Sequence, residues 1–327
     1  MSTTNPPPLP DQARSSWHRF SVAYEPLRTD LYRYCRHLTR SPWDAEDLAQ
    51  DAMARAFTTL ARMGQEPPSP RAWLFRVASN LWIDRVRRPR LAIEAASTTE
   101  PTNVAATREA AGTLLSQLAP QERAAVVLKD VFDLSLDEIA ETLATTTGAV
   151  KAALHRGRGK LVEPVDEERV PSRALVDAFC AAFNAHDVEA VTALLLESAS
   201  VEIVGATMSQ GADANRSRML WGMMFGSERL AAGQGVEPRF ASGVLATPPR
   251  REVRIHRGEA IVLGWYAHDD GEHVRAIDRI VVEEGRIARL SDYFFTPDVI
   301  AEICGELGVS FRSNGYRWFL PQAQVQS

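Results

Sequence analysis

The sequence has few of the residues that build disulfide-rich or metal-binding proteins. Its 327 residues include three cysteines, Cys35, Cys180 and Cys304. They are widely separated, odd in number and without a CxxC spacing or a histidine at metal-ligand spacing, so neither a disulfide framework nor a zinc site is indicated. Each cysteine is expected to be a small buried apolar residue. No cofactor and no metal are expected.

Long hydrophobic runs are also missing. No stretch approaches the roughly 18–20 apolar residues that span a bilayer. The proline-rich start, Asn5 to Pro10, lacks the apolar core of a signal peptide. The sequence therefore predicts a cytoplasmic protein without membrane contact. Its composition, 45% hydrophobic and 24% charged, is typical of globular proteins, and its length predicts two or three domains.

The net charge of −5 is unevenly distributed. Residues 1–160 carry 21 Lys and Arg against 18 Asp and Glu, which gives +3, whereas residues 161–327 carry 16 against 24, which gives −8. Six arginines and one aspartate lie between Arg71 and Arg90. Such local basic clusters predict directed contact with phosphate, within a larger assembly, rather than tight nonspecific binding.

A helix-turn-helix between Leu118 and Leu161 is the clearest motif. Ser135 and Glu138 form a capping box at the start of its middle helix, and residues 145–147, three threonines, mark the turn. The last helix has one apolar face and one cationic face, with no acidic residue from Ala149 to Lys160. This pattern is typical of a recognition helix that enters the major groove. The alternative is an ordinary helical hairpin with a solvated basic face.

The residues before this motif are predicted to be helical. Asp44 is a good N-cap for a helix that runs to Phe57, with an acidic and polar face near its start. A loop with three prolines, Gly64 to Pro70, precedes a helix from Pro70 to Arg88. One face of that helix mixes aromatic, cationic and amide groups, which suits unpaired nucleic acid. For Trp73 and Trp82, the alternative is simple packing in the core of a small bundle.

The second half predicts a different architecture. Two helices, the second capped by Asp187, are followed by five segments of alternating polarity: SVEIVG, REVRIHR, AIVLGWYAH, VRAIDRIVVEE and RIARLSDYFF. Turn signals at Arg257-Gly258, Asp270-Gly271 and Glu284-Gly285 separate the later segments. Helices followed by a curved antiparallel sheet give an α+β cone.

Three segments resemble a known family when they are taken together and in order. The stretch 44–57 resembles region 2.2, the stretch 73–88 regions 2.3 and 2.4, and the stretch 118–161 region 4 of bacterial sigma factors of the extracytoplasmic-function (ECF) group. The second half is similar to SnoaL-like members of the NTF2-like superfamily, in its order of elements and its VVEEGRIARL hairpin. Its C-terminal residues are closer to the SigG-like than to the SigJ-like sigma factors with such extensions.

This resemblance implies a multidomain fold: two all-α sigma domains, namely a helical region 2 and a helix-turn-helix region 4, followed by an α+β NTF2-like cone. The expected boundaries are a disordered N-terminus at 1–16, region 2 at 17–88, a linker at 89–113, region 4 at 114–162, a linker at 163–171, the cone at 172–298 and a C-terminal extension at 299–327.

The family's roles carry over to residues of this chain. The expected partner is core RNA polymerase, through its beta-prime clamp helices and its beta flap. Region 2.2 is expected to contact the beta-prime clamp helices. The residues implied are Glu46, Asp47, Gln50 and Asp51. In the minus-10 element of promoter DNA, a flipped base is expected to bind in the 64–70 loop. The opened strand is expected to contact Trp73, Arg76, Asn80, Arg85, Arg87 and Arg88. Contacts with the minus-35 element are expected for Thr146, Thr147, Lys151, His155 and Arg156.

The cone is expected to enclose a pocket lined by Trp265, Tyr266, Asp278 and Asp292, with His256 and His268 as further polar strand residues. We expect no catalytic residues and favour a regulatory or ligand-sensing domain, which acts by intramolecular contact with the sigma domains or responds to an unidentified small ligand. The alternatives are a DNA-binding regulator that senses a ligand without polymerase, and an isomerase or cyclase fused to a DNA-binding module.

Overall fold

The computed structural model describes residues 9–63, 65–96, 118–158, 173–212, 215–225 and 248–316. The chain divides into two compact units. The described part of the first, the helical unit, ends at residue 158, and that of the second, the sheet unit, begins at residue 173. No helix among the described residues has the length and apolarity needed to cross a membrane.

The helical unit begins with four helices that correspond to the predicted helical region. They are α1 (Leu9–Tyr24), α2 (Arg28–Thr39), α3 (Pro42–Met63) and α4 (Pro70–Ala96). Residues 9–16 were expected to be disordered, but they form the first turns of α1. Residues 97–113 of the expected linker and residues 1–8 lie outside the described residues.

Aromatic side chains join α2 to α4. Tyr34 and Phe75 are buried and stack with ring centroids 4.7 Å apart. The hydroxyl of Tyr34 shares a 2.7 Å hydrogen bond with that of Ser79. The core of this region therefore includes Phe75 and Ser79 of α4 beside the buried Leu74 and Ala78.

The helix-turn-helix prediction is confirmed by α5 (Pro120–Asp130), α6 (Leu136–Thr142) and α7 (Thr147–Arg158). Ser135 and Glu138 cap each other's backbone as expected. The hydroxyl of Thr146 accepts a hydrogen bond from the amide of Ala149 at 3.2 Å and so starts α7. A Cβ at Gly157 would lie 2.8 Å from Val126, so glycine lets α7 pack closely on α5.

The sheet unit contains α8 (Arg173–Asn184), α9 (Val188–Ala193), a six-stranded sheet and α10 (Pro297–Leu307). Its strands are β1 (Leu195–Ile203), β2 (Thr207–Gln210), β3 (Arg250–His256), β4 (Glu259–His268), β5 (Gly271–Glu283) and β6 (Arg286–Asp292). The α+β prediction is confirmed, and Asp187 caps α9 as expected.

Strand order in the sheet is β2-β1-β6-β5-β4-β3. The expectation of a wholly antiparallel sheet is wrong at one pair, since β1 runs parallel to β6. The short strand β2 was not predicted. Arg257, Gly258, Glu284 and Gly285 have positive φ angles between 50° and 75°, as two-residue hairpin turns require. The apolar core lies between the sheet and α8, α9 and residues 215–225, and it includes Phe179, Phe183 and Met224.

Candidate functional site

The outer face of α7 carries exposed polar side chains. Thr146, Lys151 and His155 are exposed and Thr147 is half-buried, while Val150, Ala153, Leu154 and Gly157 form the buried side of the helix. The packed side fixes the orientation of α7 and leaves the polar side exposed.

Arg156 has a partner within the bundle. Its Nε donates a 2.8 Å hydrogen bond to Oε1 of Glu122, whose side chain is only 7% exposed. Glu122 also accepts from the amide of Ala119 and so caps α5. This pair ties the recognition helix to α5, so we assign Arg156 a role in positioning α7. The periodicity of α7 gave no sign of it, since the partner is in another helix.

The aromatic and polar face of α4 is partly exposed. Trp73 and Arg76 are half-buried and Asn80 is exposed. The Arg85 guanidinium pairs with the carboxylate of Asp51 on α3. For Arg87 and Arg88 the side chains lie outside the described residues. Trp82 is half-buried, and the Arg123 guanidinium lies 5.4 Å from its ring centroid.

A cavity of about 340 Å³ opens between the α3–α4 loop and α4. That volume lies within the range of small-molecule sites and exceeds the size of one nucleobase. The cavity offers an indole, a guanidinium and carboxylates, so it can stack on a flat ring and hydrogen-bond its edge. Its lining residues are Met63, Gln65, Glu66, Pro67, Pro68, Ser69, Ala72, Trp73, Arg76, Glu141 and Thr142.

The acidic face of α3 differs from the prediction at Glu46. Its side chain is 1% exposed and lies 2.5 Å from the guanidinium of Arg28, which is also buried. Gln50 donates a 2.8 Å hydrogen bond to the same carboxylate. Asp47 and Asp51 are exposed as expected. Helical spacing placed Glu46 beside exposed residues, but the arginine that buries it comes from α2.

In the sheet unit, three of the residues expected to line a pocket, Tyr266, Asp278 and Asp292, are buried and lie close together. Asp278 and Asp292 are directly opposite each other on β5 and β6. Trp265 is not part of this group, because it lies beside Arg250. Likewise His256 pairs with Glu306 of α10, and His268 packs on His273.

Arg251 of β3, which no sequence motif indicated, organises this cluster. Its Nε lies 2.8 Å from Oδ2 of Asp278, and its Nη2 lies 3.7 Å from Oδ2 of Asp292. The guanidinium stacks over Phe183 at 4.5 Å. A Cβ at Gly264 would lie 2.1 Å from Nη1. A glycine opposite an arginine on neighbouring strands is the signal that would have revealed it.

The cluster holds two carboxyl groups and one guanidinium, all buried. Burial disfavours the charged form of each group and therefore shifts its pKa. Burial raises the pKa of Asp278 to about 6. Burial and the charge of Asp278 raise the pKa of Asp292 well above its usual 3.8. Although burial opposes it, the charge of Asp278 raises the pKa of Arg251. The contacts are ion pairs without aligned hydrogen bonds within the described residues, since Oδ1 and Oδ2 of Asp278 have no hydrogen-bond partner there.

We expect the stability of the sheet unit to fall as pH rises from about 4 through about 6, the raised pKa of Asp278. The folded cluster keeps a proton where unfolded carboxyl groups, with pKa of about 3.9, have lost theirs. Unfolding then releases a proton, and each such proton costs up to about 1.4 kcal/mol of stability per pH unit. Amide hydrogen exchange of β4 and β5 at a series of pH values, at matched chemical exchange rates, measures this. Asp292→Asn should flatten the decline, and an unchanged slope in that variant would contradict the assignment.

Two family models match the first half of the chain. The model of Sigma-70 region 2 matches residues 23–91, and that of Sigma-70 region 4 matches residues 108–161. The chain is 35% identical over 144 residues to the ECF RNA polymerase sigma factor SigE of Mycolicibacterium smegmatis, covering 40% of this chain and 55% of that protein. The match therefore spans little more than half the length of that relative.

Two further relatives extend the comparison. SigW of Bacillus subtilis is 31% identical over 162 residues, 43% of this chain and 86% of that protein. SigJ of Mycobacterium tuberculosis is 27% identical over 300 residues, 82% of this chain and 89% of that protein. The crystal structure of SigJ aligns over 85% of this chain and 97% of that chain, with 22% identity and a TM-score of 0.31.

Proposed function

The chain belongs to the extracytoplasmic-function family of RNA polymerase sigma factors, and from this membership we propose that it directs core RNA polymerase to specific promoters and helps to open the minus-10 region. One observation supports this most: a single helical unit carries both an exposed recognition-helix face on α7 and a stacking cavity beside Trp73 and Arg76. The first suits duplex DNA, and the second suits an unpaired base.

The chemistry and exposure of the side chains assign different roles to α7, α4 and α3. Lys151 and His155 contact the minus-35 duplex, while Glu122 and Arg156 hold α7 in position. Trp73 stacks on a base flipped from the minus-10 element, which offsets the few kcal/mol that flipping costs. Asp47 and Asp51 bind the polymerase. Asp51 already pairs with Arg85, so polymerase binding at α3 is coupled to the position of an arginine on α4.

We expect Trp73→Ala to reduce promoter opening by the full complex about tenfold or more, because stacking on an aromatic ring contributes about 1–3 kcal/mol per base. Permanganate reactivity of unpaired thymines measures opening, and co-purification with core polymerase measures assembly, which should be unchanged. Trp221→Ala, which removes a 42% exposed indole from the sheet unit, is the matched control. Normal opening by the Trp73 variant would contradict the stacking role.

We also propose that the sheet unit regulates the sigma domains in cis. It belongs to the same chain as the sigma domains, so its effective concentration is of order millimolar and weak docking suffices. Its acidic residues complement the basic clusters of the first half of the chain. In vitro transcription with the full chain and with a chain lacking residues 172–327 tests this. Equal promoter-directed transcription by the two chains would contradict regulation by the sheet unit. Failure of both chains to co-purify with polymerase would contradict the proposed sigma-factor function.

A further inference from the structure

The indole that lines the stacking cavity is itself packed against a second aromatic side chain. Tyr24, the last residue of α1, is 5% exposed, and its ring lies edge-on to that of Trp73 with centroids 6.4 Å apart. Trp73 lines the cavity, whereas Tyr24 is not among the lining residues. Tyr24 is therefore placed to contact the base-stacking side chain without contacting the base.

Tyr24 belongs to a row of aromatic residues on one side of α1. Trp17, Phe20 and Tyr24 follow the i, i+3, i+7 spacing that places side chains on one helix face. The rings of Trp17 and Phe20 stack at 5.5 Å, and those of Phe20 and Tyr24 at 4.5 Å, between centroids. Phe57 of α3 packs against this aromatic row, 5.0 Å from Trp17 and 5.5 Å from Phe20. Rings from two helices therefore fix the position of Tyr24.

The ring of Tyr24 makes these contacts, and its hydroxyl does not take part in them. The hydroxyl is buried and has no hydrogen-bond partner among the described residues. Burial, and after it the charge of Glu66, raises the pKa of the phenol. A buried hydroxyl without a partner costs stability. Phenylalanine at this position would therefore keep the packing and lose no hydrogen bond, so the ring and the hydroxyl can be tested separately.

Trp73 benefits from such support because it is only half-buried. A side chain at the surface can adopt several rotamers, and restricting it to one of them on binding weakens the interaction. An indole that is already held against Tyr24 loses less freedom when a base stacks on it. More of the favourable stacking energy then contributes to strand opening.

We propose that Tyr24 is a positioning residue for promoter opening: with Trp17 and Phe20 behind it, its ring holds the Trp73 indole in the orientation that stacks on an unpaired base. This inference rests on the proposed stacking role of Trp73 and deepens it, because it gives α1 a part in strand opening. The effect passes through Trp73 and requires no contact between α1 and DNA.

Promoter opening by the complete polymerase complex measures the effect. We expect Tyr24→Leu to lower the permanganate reactivity of unpaired thymines about fivefold, while promoter binding stays within about twofold of the parent chain. Phe20→Leu should act in the same direction, and Tyr24→Phe should open promoters as the parent chain does. Val22→Ala is the matched control, because Val22 is a 52% exposed residue of α1 outside the aromatic row.

Non-additivity distinguishes positioning of Trp73 from general support of the fold. In a Trp73→Ala background, Tyr24→Leu should lower opening by less than about twofold, because the side chain through which Tyr24 acts is gone. If Tyr24→Leu also lowers the hydrogen-exchange protection of α2 and α3, Phe20→Leu, which leaves Tyr24 in place, replaces it in the same comparison. An equal loss of opening in both backgrounds would show support of the fold and overturn the proposal.

Fluorine NMR of the free full-length chain separates failure of this inference from failure of the proposed function. In a chain labelled with 5-fluorotryptophan, the Trp73 resonance is assigned by its loss in Trp73→Phe. It should narrow and shift in Tyr24→Leu but not in Tyr24→Phe or Val22→Ala. An unchanged Trp73 resonance in Tyr24→Leu overturns the positioning role. If the resonance responds but Trp73→Ala opens promoters normally, Tyr24 orients the indole as inferred and the proposed stacking function of Trp73 falls.

Discussion

Arg251→Met is expected to lower the free energy of unfolding of the sheet unit by about 3–5 kcal/mol, which is the usual effect of removing one member of a buried ion pair. The substitution leaves Asp278 and Asp292 facing each other across β5 and β6 without the cation that lies 2.8 Å from the first. One or both carboxyl groups must then take up a proton in order to stay buried. Hydrogen exchange of the β4 and β5 amides measures the loss.

Two further variants test whether the loss comes from the buried charge cluster. Arg254→Met removes a 45% exposed arginine from the same strand, so its effect should stay within about 0.5 kcal/mol. Arg251→Met combined with Asp278→Asn and Asp292→Asn removes all three charges and should recover most of the stability. A loss for Arg251→Met no larger than that of the Arg254 control would show that the cluster is not a coupled charge network.

The parts of the fold that local signals specify could be predicted. The capping box at Ser135 and Glu138, the cap at Asp187 and the turn at Glu284-Gly285 all depend on residues within four positions of one another. Their chemistry is complete within one turn of chain. The same locality explains why α7 and its exposed polar face could be predicted from the sequence.

The missed features depend on partners far apart in the chain. The sequence around Glu46 gives no sign that Arg28 buries it, and Asp278 and Asp292 do not reveal Arg251. The parallel pairing of β1 with β6 is likewise a long-range contact. Period and capping rules set which side of an element is apolar, but they do not say which charged side chain from another element crosses the core. Both missed partners are arginines, whose long side chains reach between elements.

Glu46→Gln is expected to destabilise the helical unit by about 3–5 kcal/mol even without polymerase. The change keeps the size of the side chain but removes the carboxylate that lies 2.5 Å from the buried guanidinium of Arg28 and that accepts a hydrogen bond from Gln50. Hydrogen exchange of the α2 and α3 amides in the free chain measures the effect. Any loss of polymerase binding in this variant then follows from the loss of α2–α3 packing.

Asp47→Asn is the matched comparison, because Asp47 is exposed one residue further along α3. We expect its stability to change by no more than about 0.5 kcal/mol, while its affinity for core polymerase falls by about tenfold as a polar interface contact is lost. Co-purification at graded salt separates the two. If Glu46→Gln keeps full stability but loses polymerase, the buried pair is dispensable for folding and Glu46 contacts the partner directly. Together the two variants divide the acidic face of α3 into a residue that holds the helices and a residue that binds.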